Sequence, residues 1–182
     1  YRGYDSAGVA TLESGALTRR RAEGKLRNLE NRLRESPLNG TVGIGHTRWA
    51  THGKPTESNA HPHATDRIAV VHNGIIENFE ELRDRLKARG YRFVTQTDTE
   101  VIAHLVHAHW HAAGGGDLLR AVQAAVAEFK GAYAIAVIST REPGRVVGAR
   151  AGSPLVVGLG ADDHFLASDA SALLPVTRRV IY

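Results

Sequence analysis

Three short stretches of this chain carry side chains suited to recognising a small charged molecule. The first is Gly45-His46-Thr47-Arg48-Trp49-Ala50-Thr51-His52-Gly53, which follows the apolar positions Val42 and Ile44. A loop of a plain scaffold is built from small turn-formers, whereas this one holds an arginine, a tryptophan, two threonines and two histidines. The arginine fork matches two oxygens of a carboxylate or phosphate, the neighbouring ring excludes water, and glycines at both ends allow a hinge. The second stretch is His72-Asn73-Gly74, at the end of an apolar run. Asn-Gly is a tight-turn pair; it also offers a side-chain amide and a backbone N–H that can converge as an oxyanion hole for acyl transfer. The third is Asp98 at a helix start, where an acid complements the helix dipole. Taken together, Arg48 could hold a carboxylate and Asp98 an ammonium, the two charges of an α-amino acid. Asn73 and Gly74 would then act on that molecule's side-chain carbonyl.

The histidines invite a metal reading. His104, His107 and His111 share one helical face with His109 nearby, but no His-Glu-x-x-His pattern accompanies them. They are read as an exposed helix terminus rather than a metal site. His61-Pro62-His63 could ligate a metal, and is read instead as shaping the loop beneath Trp49, with a hydrogen-bonding role for His61. Neither metal nor organic cofactor is expected.

The elements that must position these groups follow from apolar periodicity. Residues 5–12, 41–47 and 68–72 read as strands, the last richest in β-branched side chains. Leu26, Leu29 and Leu33 recur at helical spacing within 24–35, and the polar, proline-punctuated segment 54–66 reads as loop. Phe79, Leu82 and Leu86 mark a helix ending near Gly90. Thr97-Asp98-Thr99-Glu100 is a capping box that starts a second helix with Val101, Ile102 and Leu105 inward. A third begins at Asp117, with Leu118, Leu119, Val122, Val126 and Phe129 inward. Segments 132–138, 145–150, 155–159, 164–167 and 178–182 read as short strands whose brief connections imply antiparallel pairing. The 132–138 strand is apolar on both faces and needs cover on both sides. The whole predicts a single α+β domain with sheets between helices.

Composition narrows the function classes. At 182 residues and a net charge of +4, the chain has room for a real core and no strong pull toward nucleic acid. Its dense basic cluster, Arg19-Arg20-Arg21 with Lys25, lacks interleaved aromatics and reads as a solvated face. The apolar run 132–138 is far too short to span a bilayer and no signal-peptide pattern appears, so a cytoplasmic protein without membrane association is expected. The sequence has no cysteine, which excludes thiol chemistry within these residues, and no methionine. Together these absences read as a fragment or a chain whose beginning is missing.

Several motifs occur together in order: residues 1–8 (Tyr-Arg-Gly-Tyr-Asp-Ser-Ala-Gly), the 45–53 loop, Asn59-Ala60-His61-Pro62-His63, residues 71–78 (Val-His-Asn-Gly-Ile-Ile-Glu-Asn), Thr97-Asp98-Thr99-Glu100, Lys130-Gly131-Ala132-Tyr133, residues 152–158 and Ala167-Ser168-Asp169. From end to end the chain resembles the glutaminase domains of class II glutamine amidotransferases, specifically those of the glutamine–fructose-6-phosphate aminotransferase (isomerising) type. The resemblance implies an N-terminal-nucleophile hydrolase fold, a four-layer αββα sandwich of two antiparallel sheets between helices. It implies that residues 1–182 are one glutaminase domain lacking its nucleophile segment, that the isomerase region of the same parent chain is its partner, and that the parent is a homo-oligomer. In such enzymes an amino-terminal cysteine attacks the glutamine side-chain amide, a thioester forms, ammonia leaves and water releases glutamate. By matching position, Arg48 would hold the α-carboxylate and Asp98 the α-amine of L-glutamine. Thr51, His52 and Gly74 would line the pocket, Asn73 and Gly74 would form the oxyanion hole, Trp49 would belong to the closing loop, and Arg2 would lie near the nucleophile. The family's cysteine stands upstream of the Tyr-Arg-Gly motif, so the residues present are expected to be inactive alone. Rival readings are a non-catalytic glutamine- or glutamate-binding module, the glutaminase domain of another class II amidotransferase, and a histidine-rich metal hydrolase.

Overall fold

The computed structural model describes residues 4–49, 53–54 and 56–182. Strands β1 (Ser6–Glu13) and β2 (Ala16–Glu23) form a hairpin. Its turn residues Ser14 and Gly15 have φ of 50° and 79°, the double positive φ that matches hairpin twist. Strand β3 (Val42–Arg48) pairs antiparallel along the other edge of β1, from Leu12↔Val42 to Ser6↔Arg48. Helix α1 (Leu26–Glu35) covers the outer face of this sheet, burying Leu29 against Ala7 and Ala22.

The second sheet runs β4 (His63–Ala64), β5 (Ile68–Gly74), β6 (Tyr133–Ser139) and β7 (Val146–Ala151), all antiparallel. Period-two alternation gives β5 and β6 two different faces. Ile68, Val70, Ile135 and Val137 point outward into a core shared with α2 (Phe79–Ala88), α3 (Asp98–Ala112) and α4 (Leu118–Val126), where Leu82, Leu86, Ile102, Leu105 and Leu118 are buried. Ala69, Val71, Ala136 and Ile138 point the other way, to meet Ala10, Leu12 and Ile44 of the first sheet. The layers are therefore helix, sheet, sheet, helix, the α+β sandwich of antiparallel sheets. A third antiparallel ladder, β10 (Val180–Ile181), β8 (Val156–Leu159) and β9 (His164–Ala167), joins the sandwich through Leu166, which packs against the inter-sheet cluster.

Several local readings are corrected. The basic run Arg19-Arg20-Arg21 lies in β2, and its guanidinium groups are bonded rather than solvated. Arg19 Nη1 donates to Pro62 O at 2.9 Å, and Arg20 Nε donates to Ser36 O at the same distance. Segment 54–66 is not all loop, since it holds a 3-10 turn at Glu57–Asn59 and strand β4. Leu119 is 45% exposed, and Phe129 lies beyond the end of α4, only partly buried. The capping box is one-sided. The Thr97 hydroxyl accepts from Glu100 N, but the Glu100 carboxylate accepts from the backbone N–H groups of Val94 and Thr95 instead of reaching back to Thr97. Except for exposed His111, the α3 histidines are packed rather than exposed. His104 Nε2 meets Arg92 O, His107 Nδ1 meets Tyr91 Oη and His109 Nε2 meets Glu128 Oε1.

Candidate functional site

Strand alternation aims the candidate residues into one place. On β3, Ile44 faces the inter-sheet core, so His46 and Arg48 follow on the same face; on β5, Val71 does so and Asn73 follows. Both strands run out of apolar residues at the same end of the sandwich. There a cavity of about 1580 Å3 opens, lined among others by Arg48, Trp49, His61, Asn73, Gly74 and Asp98. Arg48, Trp49, Asn73, Gly74, Asp98 and His61 all line this one cavity. Arg2, Thr51 and His52 lie outside the described residues.

Arg48 is 3% exposed, unusually deep for a guanidinium. Its Nη1 donates to Asp5 Oδ1 and to Lys54 O, both at 3.3 Å, and its Nη2 donates to Gly53 O at 3.1 Å. The Asp5 carboxylate on the fork is the clearest precedent for the anion this arginine suits. Trp49, in contrast, is 58% exposed at the cavity rim.

Asn73-Gly74 is not a hairpin turn, since both residues are paired within the β5–β6 ladder, with Ala134 and Tyr133 respectively. Ile75 N donates to Ala132 O, which makes Ile75–Ala132 a hydrogen-bonded pair and leaves Gly74–Tyr133 a non-bonded one. The Gly74 N–H therefore points away from β6. On that side β4 pairs only with Val70 and Ala69 and stops short of Gly74. Gly74 has φ of 130°, and a Cβ there would stand 2.1 Å from Ala132 O. Only glycine fits a strand end that turns its N–H outward so close to a neighbouring carbonyl.

Asp98 opens α3 and is 3% exposed. Its Oδ2 accepts from Ile76 N at 3.0 Å and lies 3.7 Å from His72 Nδ1. The next residue, Thr99, places its hydroxyl between two imidazoles, 2.8 Å from His61 Nε2 and 3.1 Å from His72 Nδ1. His61 thus braces the start of α3, a firmer role than shaping the loop under Trp49. Burial, reinforced by neighbouring imidazoles and Arg48, holds His61 well below its ordinary range. Burial, then His72 and Arg48, lowers His46 to about 4. Burial, then Arg21, lowers His63 to about 3. At neutral pH these three imidazoles are uncharged, so they do not compete with Arg48 for an anion.

Sequence reasoning missed Asp5, Thr99 and Asn59 as members of this region. Asp5 and Thr99 both sit inside recognised motifs, but were read only as a strand start and a helix cap. Among the described residues no three histidine, aspartate or glutamate side chains are grouped so as to hold a metal ion. No helix among them is long and apolar enough to cross a membrane.

Against known proteins, a family model described as "Glutamine amidotransferase domain" matches residues 46–175. Similar relatives include glutamine–fructose-6-phosphate aminotransferase [isomerizing] of Rhizobium meliloti (strain 1021), 59% identical over 182 residues, covering 100% of this chain and 30% of that protein. The enzyme of the same name from Salmonella typhimurium (strain LT2) is 57% identical over 183 residues, with the same coverage. The chain therefore spans about 30% of the length of the curated relatives it matches. Among solved structures, the glutamine phosphoribosylpyrophosphate amidotransferase of B. subtilis complexed with ADP and GMP is similar at a TM-score of 0.78 and 26% identity. That match covers 96% of this chain and 38% of the other. A structure titled the allosteric regulatory enzyme of purine biosynthesis matches at a TM-score of 0.80, with the same identity and coverage.

Proposed function

The chain belongs to the glutamine amidotransferase domain family, and from that premise we propose that its cavity binds L-glutamine for hydrolysis to L-glutamate and ammonia. The ammonia would serve the parent enzyme in converting fructose 6-phosphate to glucosamine 6-phosphate, in the cytoplasm, with the isomerase region of the same chain as partner and in a homo-oligomer. The observation that carries this reading is the convergence of Arg48, Asp98 and Asn73-Gly74 on one cavity. Arg48 takes the α-carboxylate, sharing or displacing the Asp5 contact. Asp98 takes the α-ammonium with the carboxylate that Ile76 N already orients. The outward Gly74 N–H and the Asn73 amide are the donors for the oxyanion that forms when the side-chain amide carbon is attacked. In this reading Thr51 and His52 would complete the pocket, Arg2 would lie near the nucleophile's end, and Trp49, exposed at the rim, would cover the bound molecule.

No cysteine occurs in these residues, so the attacking thiolate of this mechanism comes from outside them. The thiolate forms a thioester with the glutamyl carbon, the amide nitrogen leaves as ammonia, and water then releases glutamate and restores the thiol. Residues 1–182 by themselves would bind glutamine without turning it over. A second reading keeps the same convergence of Arg48 and Asp98 on the cavity for a glutamine- or glutamate-binding module without catalysis.

The two separate in one experiment on the full-length protein with its natural amino terminus. Ammonia and glutamate released in equal amounts from L-glutamine, with loss of both after thiol alkylation, support the hydrolase. Saturable glutamine binding with no ammonia release supports the binding module, and absence of glutamine binding sinks both.

A further inference from the structure

Asn59 is a polar side chain only 3% exposed, held in the short 3-10 turn Glu57–Asn59. Its Nδ2 donates to Lys54 O at 2.9 Å, and its Oδ1 accepts from Gln96 N at 3.2 Å. Lys54 O is also an acceptor for Arg48 Nη1, while Gly53 O accepts from Arg48 Nη2. Gln96 immediately precedes the α3 cap Thr97, and Asp98 is the first residue of the helix. A second link runs in parallel, with Lys54 N donating to Gln96 Oε1 at 3.4 Å. One buried amide therefore ties the backbone that holds Arg48 to the backbone that launches Asp98.

We propose that Asn59 is a positioning residue that sets the separation of the two charge anchors for the α-amino acid. This rests on the reading that Arg48 and Asp98 grip the α-carboxylate and α-ammonium of glutamine. Those two ligand charges hang on one carbon, so their separation is fixed and the protein must match it. A mismatch of about 1 Å forfeits one contact or the other. An asparagine amide can donate to one backbone segment and accept from the other at once, whereas aspartate cannot donate and leucine can do neither.

The turn carrying Asn59 is itself fixed from outside. Arg21 Nη1 donates to Ser58 O and Ala60 O, each at 3.0 Å, so the carbonyls on both sides of Asn59 are held by one guanidinium. Arg32 Nη1 in turn donates to Arg21 O at 2.9 Å and to Glu57 Oε1 at 2.5 Å. The basic strand β2 thereby serves as the rigid base against which the two anchors are spaced.

The test is steady-state glutamine hydrolysis by the full-length enzyme carrying Asn59→Asp, Gln96→Ala, Arg48→Lys, or Asn59→Asp with Arg48→Lys. Asn59→Asp is expected to raise the KM for L-glutamine by about tenfold or more while kcat stays within about threefold, the pattern of lost ligand binding. Gln96→Ala, which removes the parallel link, should raise KM by about threefold by the same criterion. The double variant should be little worse than Arg48→Lys alone, because Asn59 acts through the anchor already damaged. A purely structural role would instead give additive losses and a fall in kcat. If Arg48→Lys raises KM while Asn59→Asp leaves it unchanged, the inference about Asn59 is overturned and the clamp reading stands. If Arg48→Lys itself leaves KM unchanged, the clamp reading fails and takes this inference with it. Should Asn59→Asp fail to fold, Asn59→Gln, which keeps both hydrogen-bonding groups but displaces them by one methylene, decides, and an unaltered KM there overturns the proposal.

Discussion

Replacing Arg48 by lysine isolates the geometry of the anion grip from its charge. Among the described residues the guanidinium donates from two nitrogens: to Asp5 Oδ1 and Lys54 O from Nη1, and to Gly53 O from Nη2. A lysine ammonium is one point donor and cannot hold both loop carbonyls and two carboxylate oxygens from a single nitrogen. The charge is retained, so most of the long-range attraction survives. What is lost is about one charge-assisted hydrogen bond to the ligand, worth roughly 1.5–3 kcal/mol, and the flexible lysine stem gains back a fraction of that. The expected loss is about 1–3 kcal/mol, or a Kd for L-glutamate weaker by about 5- to 150-fold. Calorimetric titration of the full-length protein with L-glutamate reads this directly. A parallel urea denaturation separates a loosened fold from a loosened grip, since a fold effect shifts the unfolding midpoint without ligand. If the variant unfolds at the wild-type midpoint and binds glutamate within about twofold of wild type, Arg48 does not hold the carboxylate.

Three further outcomes follow from the same geometry. Gly74→Ala must place a Cβ 2.1 Å from Ala132 O at a φ of 130°; backbone strain alone costs about 1–3 kcal/mol, so urea unfolding should show at least that loss, together with a lower kcat for glutamine hydrolysis. Burial depresses His46, His61 and His63 in the folded state, so the unfolded chain binds more protons below the ordinary histidine pKa of about 6.5. Stability from these groups is then fully present above that pH and is lost as pH falls toward 4, with the three imidazoles together taking up roughly three protons on unfolding near pH 5; a flat urea midpoint across that window would contradict the burial argument. Burial pushes the Glu100 carboxyl up, but hydrogen bonds from His104, the Thr95 side chain and the amides of Val94 and Thr95 outweigh it and hold it down to about 2. The depressed carboxyl stabilises the fold above the ordinary glutamate range and loses that advantage as pH falls toward 2. The gap in urea midpoint between wild type and Glu100→Gln should therefore be widest above pH 5 and narrow on acidification.

What the sequence disclosed about this molecule is what depends on neighbours along the chain. The stripe Val101, Ile102, Leu105 is legible because a helix buries one face by its own period, and it is buried as read. The Thr97 cap is legible for the same reason, since its partner is three residues on. The carboxylate of Glu100 is not, because it chooses between the cap and the amides of Val94 and Thr95, and only the path of the chain before the helix decides. Asn73-Gly74 is the sharper case. As a dipeptide it favours a turn, and it is a strand end because β6 pairs with it across the whole α2–α4 insertion. That pairing is what turns the Gly74 N–H outward, so the feature that could make it catalytic is absent from its local sequence. Strand β2 was hidden behind its own arginines, whose acceptors lie far along the chain; Arg19 reaches Pro62, 43 residues on. Chemically able residues could thus be picked out one by one, but their spacing could not. That spacing is carried by backbone carbonyls at Gly53, Lys54, Ser58 and Ala60, groups every residue possesses and no sequence pattern marks. The charges of the pocket are written in side chains, and the distance between them is written in the backbone that Arg21 and Asn59 hold still.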